Sequence, residues 1–138
     1  MLTQEKAETL LAQWKASVRE HAFIWERDQR HEELFVTTGE EEIKFCLSLI
    51  RNPFELKAHF RTKEKNIGLA RIDDQLQHHN PDGSVIRGPH IHWYREGEEL
   101  KWAEKIDWYD ARNPLSTLSR FLDEVHARFK GGIQGAIT

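Results

Sequence analysis

The stretch from Ile43 to Arg61 alternates. Ile43, Phe45, Leu47 and Leu49 interleave with Lys44, Cys46 and Ser48. After Arg51-Asn52-Pro53 the series resumes as Phe54, Leu56, Ala58 and Phe60, set between Glu55, Lys57, His59 and Arg61. A period of two puts one set on a covered face and the other toward solvent, so these segments predict neighbouring strands with one face in water. A polar turn at 62–66 leads into a third strand, Ile67 to Asp73. His90 to Arg95 and Leu100 to Trp108 predict two more, joined by Glu96-Gly97-Glu98-Glu99. Leu34 to Thr37 predicts a further strand, closed by a turn around Thr38-Gly39. In 21–33, Phe23-Ile24-Trp25 fits a short strand and the charged run after it a loop.

Helical spacing is confined to the two ends. Thr3 is an N-cap for residues 3–20, where Ala7, Leu10, Leu11, Trp14 and Val18 recur on one side. Asn113 caps a second helix with Pro114 in its first position. Leu115, Leu118, Phe121, Leu122, Val125 and Phe129 line one face of it, and Gly131-Gly132 ends it. The expected fold class is α+β: residues 1–138 as one domain, a single antiparallel sheet of five or six strands flanked by an N-terminal and a C-terminal helix. Both helices are expected on the same face of the sheet, leaving the other face available.

Several function classes are disfavoured. Cys46 is the sole cysteine, which excludes a disulfide or a cysteine-based zinc site, and its apolar neighbours mark it as a core residue. No apolar run approaches the ~20 residues of a membrane span, and the N-terminus lacks the parts of a signal peptide, so a cytoplasmic protein is expected. A net charge of −3 and a pI near 6.2 argue against a general nucleic-acid coat. Between Arg51 and Arg95, however, eight Lys/Arg stand against five Asp/Glu, with five histidines among them. A local basic face suits a specific anionic substrate.

Four of the eight histidines fall between Arg71 and Tyr94: His78, His79, His90 and His92. Imidazole titrates near neutrality and is the commonest metal ligand, so such a cluster suggests proton transfer or a metal. If 54–61 and 67–73 form a hairpin in which Phe60 faces Gly68, Ala58 faces Ala70 and Leu56 faces Ile72, the apolar residues share the covered face. The other face then carries Lys57, His59 and Arg61 beside Arg71 and Asp73. A 90–95 strand on the far side of 67–73, with Ile91 and Trp93 inward, adds His90 and His92 to that polar face. The loop from Gln75 to Pro89 drapes His78, His79 and Asn80 over it.

Metal-independent RNA cleavage needs a base, an acid and a cation for the phosphorane. His90 and His92 are candidates for base and acid, with His79 a further catalytic candidate and Asp73 a group to orient a histidine. Arg71, Arg61, Lys57, His59 and Asn80 are candidates for binding the phosphate. The competing chemistry is a metal. His90-x-His92 followed by Glu96 is close to the first metal motif of cupin-type barrels, but the second motif is absent, since the one later histidine, His126, falls on a helix. A non-cupin site of His90, His92 and His78 or Asp73 is the remaining form. Because Arg71, Arg87, Arg61 and Lys57 would repel a cation, no metal and no cofactor are expected.

The run Arg71-Ile72-Asp73, then His79-Asn80-Pro81-Asp82-Gly83, then Gly88-Pro89-His90-Ile91-His92-Trp93-Tyr94 resembles a small bacterial and phage domain family of unassigned function. More distantly it is similar to the TumE-like toxins of two-gene toxin–antitoxin modules, which have an Arg-x-Asp strand followed by a histidine-rich loop. The resemblance spans 67–106 and implies a small α+β domain in bacterial conflict that acts on RNA. The first expectation is therefore a toxin-like, metal-independent ribonuclease or related phosphodiesterase. The alternatives are a non-enzymatic binding protein (an immunity protein, antitoxin-like neutraliser or phage-encoded inhibitor) and a metal-dependent hydrolase. Expected partners are RNA or a nucleotide substrate, a cognate protein of the antitoxin or conflict-system kind, and a second copy of the chain packed through exposed aromatics such as Trp93 and Trp108.

Overall fold

A computed structural model describes residues 1–26, 28–52, 55–74 and 76–135. In chain order the elements are α1 (Gln4–Ala12), β1 (Lys15–Ser17), β2 (Phe23–Trp25), β3 (Gln29–Thr37), β4 (Lys44–Arg51), β5 (Leu56–Thr62) and β6 (Gly68–Asp73). They continue as β7 (Gln77–His79), β8 (Val85–Arg87), β9 (His90–Trp93), β10 (Ala103–Lys105), α2 (Pro114–Val125), β11 (Ala127–Arg128) and β12 (Ile133–Gly135).

The main sheet corrects the expected five or six antiparallel strands. It has eight, in the order β10-β9-β6-β5-β4-β3-β1-β11, and it is mixed because β11 runs parallel to β1. Two small sheets, parallel β12–β2 and the hairpin β7–β8, complete a chain that is mostly β. The extra strands come from segments read as helix or loop. Helix α1 stops at Ala12, Gln13 turns extended (φ −69°, ψ 137°), and Lys15–Ser17 is drawn into the sheet between β3 and β11. Trp14 and Val18, read as part of an apolar helical stripe, are half exposed there. Helix α2 ends at Val125, not at the glycines: His126 caps it in the left-handed conformation (φ 58°), freeing Ala127 and Arg128 to pair. Phe129 still reaches the core, stacked on Phe23 at 4.8 Å. Pairing with partners distant in sequence overrode local helical propensity in both places.

The central reading holds. Phe35, Phe45, Leu47, Leu49, Ala58, Phe60, Ile72 and Ile91 form one core with Ala7 and Leu10 of α1 and with Leu118, Phe121 and Val125 of α2. Both helices therefore cover the same face, as expected. At 25 cal/mol per Å², roughly 2–3 kcal/mol accompanies burial of each such large side chain, which fixes which face points inward. The β5–β6 register is displaced by two residues from the expected one: Phe60 pairs with Ala70 and Ala58 with Ile72, with a bulge between Phe60 and Arg61. An even displacement keeps every side chain on its face. Trp93 and Trp108, expected to be exposed, pack partly buried against the core. The expected strand start at Phe54 and the expected loop start at Gln75 lie outside the described residues.

Candidate metal centre

Strands β6 and β9 pair as the alternation required, with Asp73 opposite His90, Arg71 opposite His92, and Ile72 opposite Ile91. The apolar pair points inward, so the other four side chains meet on the opposite face. That face is covered at this end, because 77–87 forms a hairpin around Pro81-Asp82-Gly83, with Gly83 at φ +88°. Asn80 pins the hairpin to β10: its amide donates to the Ala103 carbonyl at 3.1 Å, and its oxygen accepts from Ala103 N–H at 2.8 Å. His90 and His92 are thereby almost wholly buried, at 0% and 1% exposure, and Asp73 at 3%.

The hairpin brings in His78, with its ring 4.6 Å from His92 and 5.5 Å from His90. His79, the neighbour expected to act, is exposed and lies beside Gln77, 3.3 Å away. Alternation along β7 selects one of the two, and it selects His78.

Each of the three clustered rings has one nitrogen tied to a backbone carbonyl. His90 Nδ1 lies 2.8 Å from the Gly88 carbonyl, His92 Nδ1 2.8 Å from the Leu100 carbonyl, and His78 Nε2 2.8 Å from the Lys101 carbonyl. A carbonyl only accepts, so each of these nitrogens carries its hydrogen and donates. The second nitrogen of a neutral ring is then a bare lone pair. Nε2 of His90 and Nε2 of His92 are buried without a hydrogen-bond partner. Neither forms a hydrogen bond of good geometry, and what faces both is the Asp73 carboxylate. One nitrogen from each of His78, His90 and His92 lies within 4.8 Å of the other two. Tetrahedral zinc with Zn–N near 2.1 Å needs nitrogens about 3.4 Å apart, so the three rings would draw together to hold one. The carbonyls behind the rings are what metal-ligating histidines ordinarily show, since the outer hydrogen bond fixes tautomer and aim. The strand expected over 100–108 shrinks to Ala103–Lys105. Leu100 and Lys101, which precede it, turn their carbonyls to the rings.

Asp73 stands against the other side of the pair, with Oδ1 2.9 Å from His90 Nε2 and Oδ2 3.5 Å from His92 Nε2. Arg71 Nε lies 3.7 Å from Asp73 Oδ2, so its charge is met by a carboxylate. The other cations expected to repel a metal are turned elsewhere. Arg61 donates to Glu32 at 3.0 Å and to Ser48, Lys57 pairs with Glu55 at 3.4 Å, and exposed Arg87 donates to Gln77 at 3.3 Å.

Of the nine expected site residues, then, Asp73, His90 and His92 meet directly, with Arg71 and His59 on the adjoining surface, where they face each other across β5 and β6. Asn80 supports the hairpin, while Arg61, Lys57 and His79 lie apart. Burial, with Arg61 and Arg71 nearby, lowers the His59 pKa to about 4, so that ring is neutral at ordinary pH.

A family model described as "Family of unknown function (DUF6978)" matches residues 2–127. No curated protein and no solved structure matches the chain. The match agrees with the expectation of an uncharacterised family, and the comparisons carry neither the motif that suggested it nor the likeness to TumE-like toxins.

Proposed function

The chain belongs to this family of unknown function, and we propose that it is a metal-dependent hydrolase in which His78, His90 and His92 hold one divalent cation. The observation that carries the reading is the convergence of the three rings, each donating outward to a carbonyl and each with one nitrogen within 4.8 Å of the other two. An all-imidazole set suits zinc among the common divalent ions. Structural zinc sites are built largely from cysteine, whereas catalytic ones use three protein ligands and leave the fourth place to water. Cys46 contacts Glu32 on the far strands and takes no part. Zinc supplies a water that deprotonates near neutrality. Asp73, beside Nε2 of both buried rings, is the carboxylate proposed to take up that proton.

The same residues without a metal are the acid, base and cation of a ribonuclease or related phosphodiesterase. Exposures of 0% and 1% for His90 and His92 suit ligation better than proton exchange with an RNA strand.

The test is elemental analysis of untagged protein together with hydrolysis of bis(p-nitrophenyl) phosphate. We expect near one equivalent of zinc, retained in His79→Ala and lost in the His90→Ala/His92→Ala double variant. Turnover should vanish on chelation and return with zinc. Hydrolysis by metal-free protein would return the site to the acid–base reading, and stoichiometric zinc without turnover would remove the enzyme and leave a structural ion.

A further inference from the structure

Beside the histidine cluster lies a cleft of about 580 Å³ whose walls include His59, Lys65, Ile67, Arg71, Tyr94 and Leu100. It adjoins the cluster through two residues. Leu100 lines the cleft and accepts the His92 Nδ1 hydrogen, and Arg71 lines the cleft and faces Asp73 at 3.7 Å. Two of the lining side chains carry a buried nitrogen with no hydrogen-bond partner, Arg71 Nε and His59 Nε2. They belong to side chains directly opposite each other on β5 and β6. Lys65 adds a positive charge to the lining beside Arg71, which Asp73 meets from the other side, and Glu99 contributes a carboxylate. The volume falls within the roughly 300–1,000 Å³ of small-molecule sites and far exceeds what a bare oxyanion fills. Ile67, Leu100 and Tyr94 add apolar surface to the lining.

Resting on the metal-dependent reading above, we infer that this cleft is the substrate site and that the substrate is an organic phosphate ester. Arg71 and Lys65 take its phosphate, His59 completes the polar wall, and the organic part lies against Ile67, Leu100 and Tyr94. Arg suits phosphate because its planar fork donates two parallel hydrogen bonds. In the reaction the oxygen of water bonds to phosphorus, the phosphorus–oxygen ester bond breaks, and the water's proton ends on the leaving alcohol. No oxidant or further co-reactant enters. Gly68 sets the width of the cleft, since a Cβ there would come within 2.7 Å of Leu100 Cδ1 and 2.8 Å of His59 Nε2.

The experiment measures zinc content and bis(p-nitrophenyl) phosphate binding separately, the binding by calorimetry on both zinc-loaded and metal-free protein. Arg71→Met and Lys65→Met should keep wild-type zinc while binding of the diester weakens at least tenfold and KM rises. Arg71→Lys should recover only part, because it restores charge without the fork. Unchanged KM and affinity in both Met variants, with zinc intact, would overturn the cleft and leave the metal reading standing. A wild type without zinc whose metal-free form still binds the diester, and loses it in Arg71→Met, would support the cleft while the metal reading falls. Binding of inorganic phosphate alone, as tightly as the diester, would overturn the organic ester.

Discussion

Lys15 and the His90–His92 pair are buried at opposite ends of the main sheet, and the molecule treats them differently. The Lys15 ammonium, 0% exposed, donates to the Leu11 carbonyl at 3.0 Å and the Val125 carbonyl at 2.6 Å. Its nitrogen also sits 5.3 Å from the Phe45 ring and 5.5 Å from the Phe60 ring. Those carbonyls lie at the C-terminal ends of α1 and α2, where the helix dipoles favour a positive group. Two carbonyls and two aromatic rings meet that side chain inside the protein, as a structural residue requires. The histidines are tied on Nδ1, while Nε2 makes no hydrogen bond and has only the Asp73 carboxylate beside it. A buried polar group that is satisfied holds a fold together, whereas one that is aimed and unsatisfied points to a missing guest.

The largest expected effect lies at the satisfied end. Lys15→Ala removes the side chain from between two helix ends and takes its donor from the Val125 carbonyl, while His126 Nδ1 still reaches the Leu11 carbonyl at 3.1 Å, so urea unfolding should show a loss of about 3–5 kcal/mol. A loss under 1 kcal/mol would break the contrast. The pH dependence sharpens it. Burial pushes the Lys15 pKa down to about 7 from an ordinary value near 10.5. Below about 7 both folded and unfolded chains hold the proton and this group adds no slope. Between about 7 and 10.5 the unfolded chain holds a proton that the folded one has released, so stability should rise with pH. Lys15→Met should flatten that rise in parallel denaturation series.

The next effect separates hairpin from sheet. Asn80→Ala deletes both hydrogen bonds to Ala103, a cost of about 1–3 kcal/mol, and loosens the strand that carries His78. Zinc affinity, read by competition with a chelator, should fall about tenfold, the scale of outer-sphere changes. Lost stability with zinc affinity unchanged would show that His78 is not a ligand and that the centre is His90 and His92 with a carboxylate. The smallest effect belongs to His79→Ala. Stability should move by no more than about 0.5 kcal/mol, as for an exposed position. A drop in zinc content there would reverse the choice between the two neighbouring histidines.

Period-two patterning in 43–73 and 90–94 was enough to place Arg71, Asp73, His90 and His92 on one face, because a buried apolar set fixes parity even where the register moves by two. It could not choose between His78 and His79, since their parity depends on where a fifteen-residue connection turns back. The Asn80-Pro81-Asp82-Gly83 turn held that information, and Asn80 itself proved to be the anchor. The carbonyls of Gly88, Leu100 and Lys101 that aim the rings were unreadable, because every residue type has one. The strand at 15–17 was missed because its partners at 127–128 carry no local sign of it, and the helical spacing of Trp14 and Val18 was coincidental.

The pairing of β1 with β11 and of β2 with β12 joins segments more than a hundred residues apart. Contacts of that span must wait for most of the chain to leave the ribosome, so a nascent protein emerging as far as α2 exposes the unpaired edge of β1. The ring of Phe23 has no Phe129 to stack on, and Lys15 reaches Leu11 before Val125 exists. Such topology predicts a slow final step in folding, with the open edge a template for pairing between chains until β11 arrives.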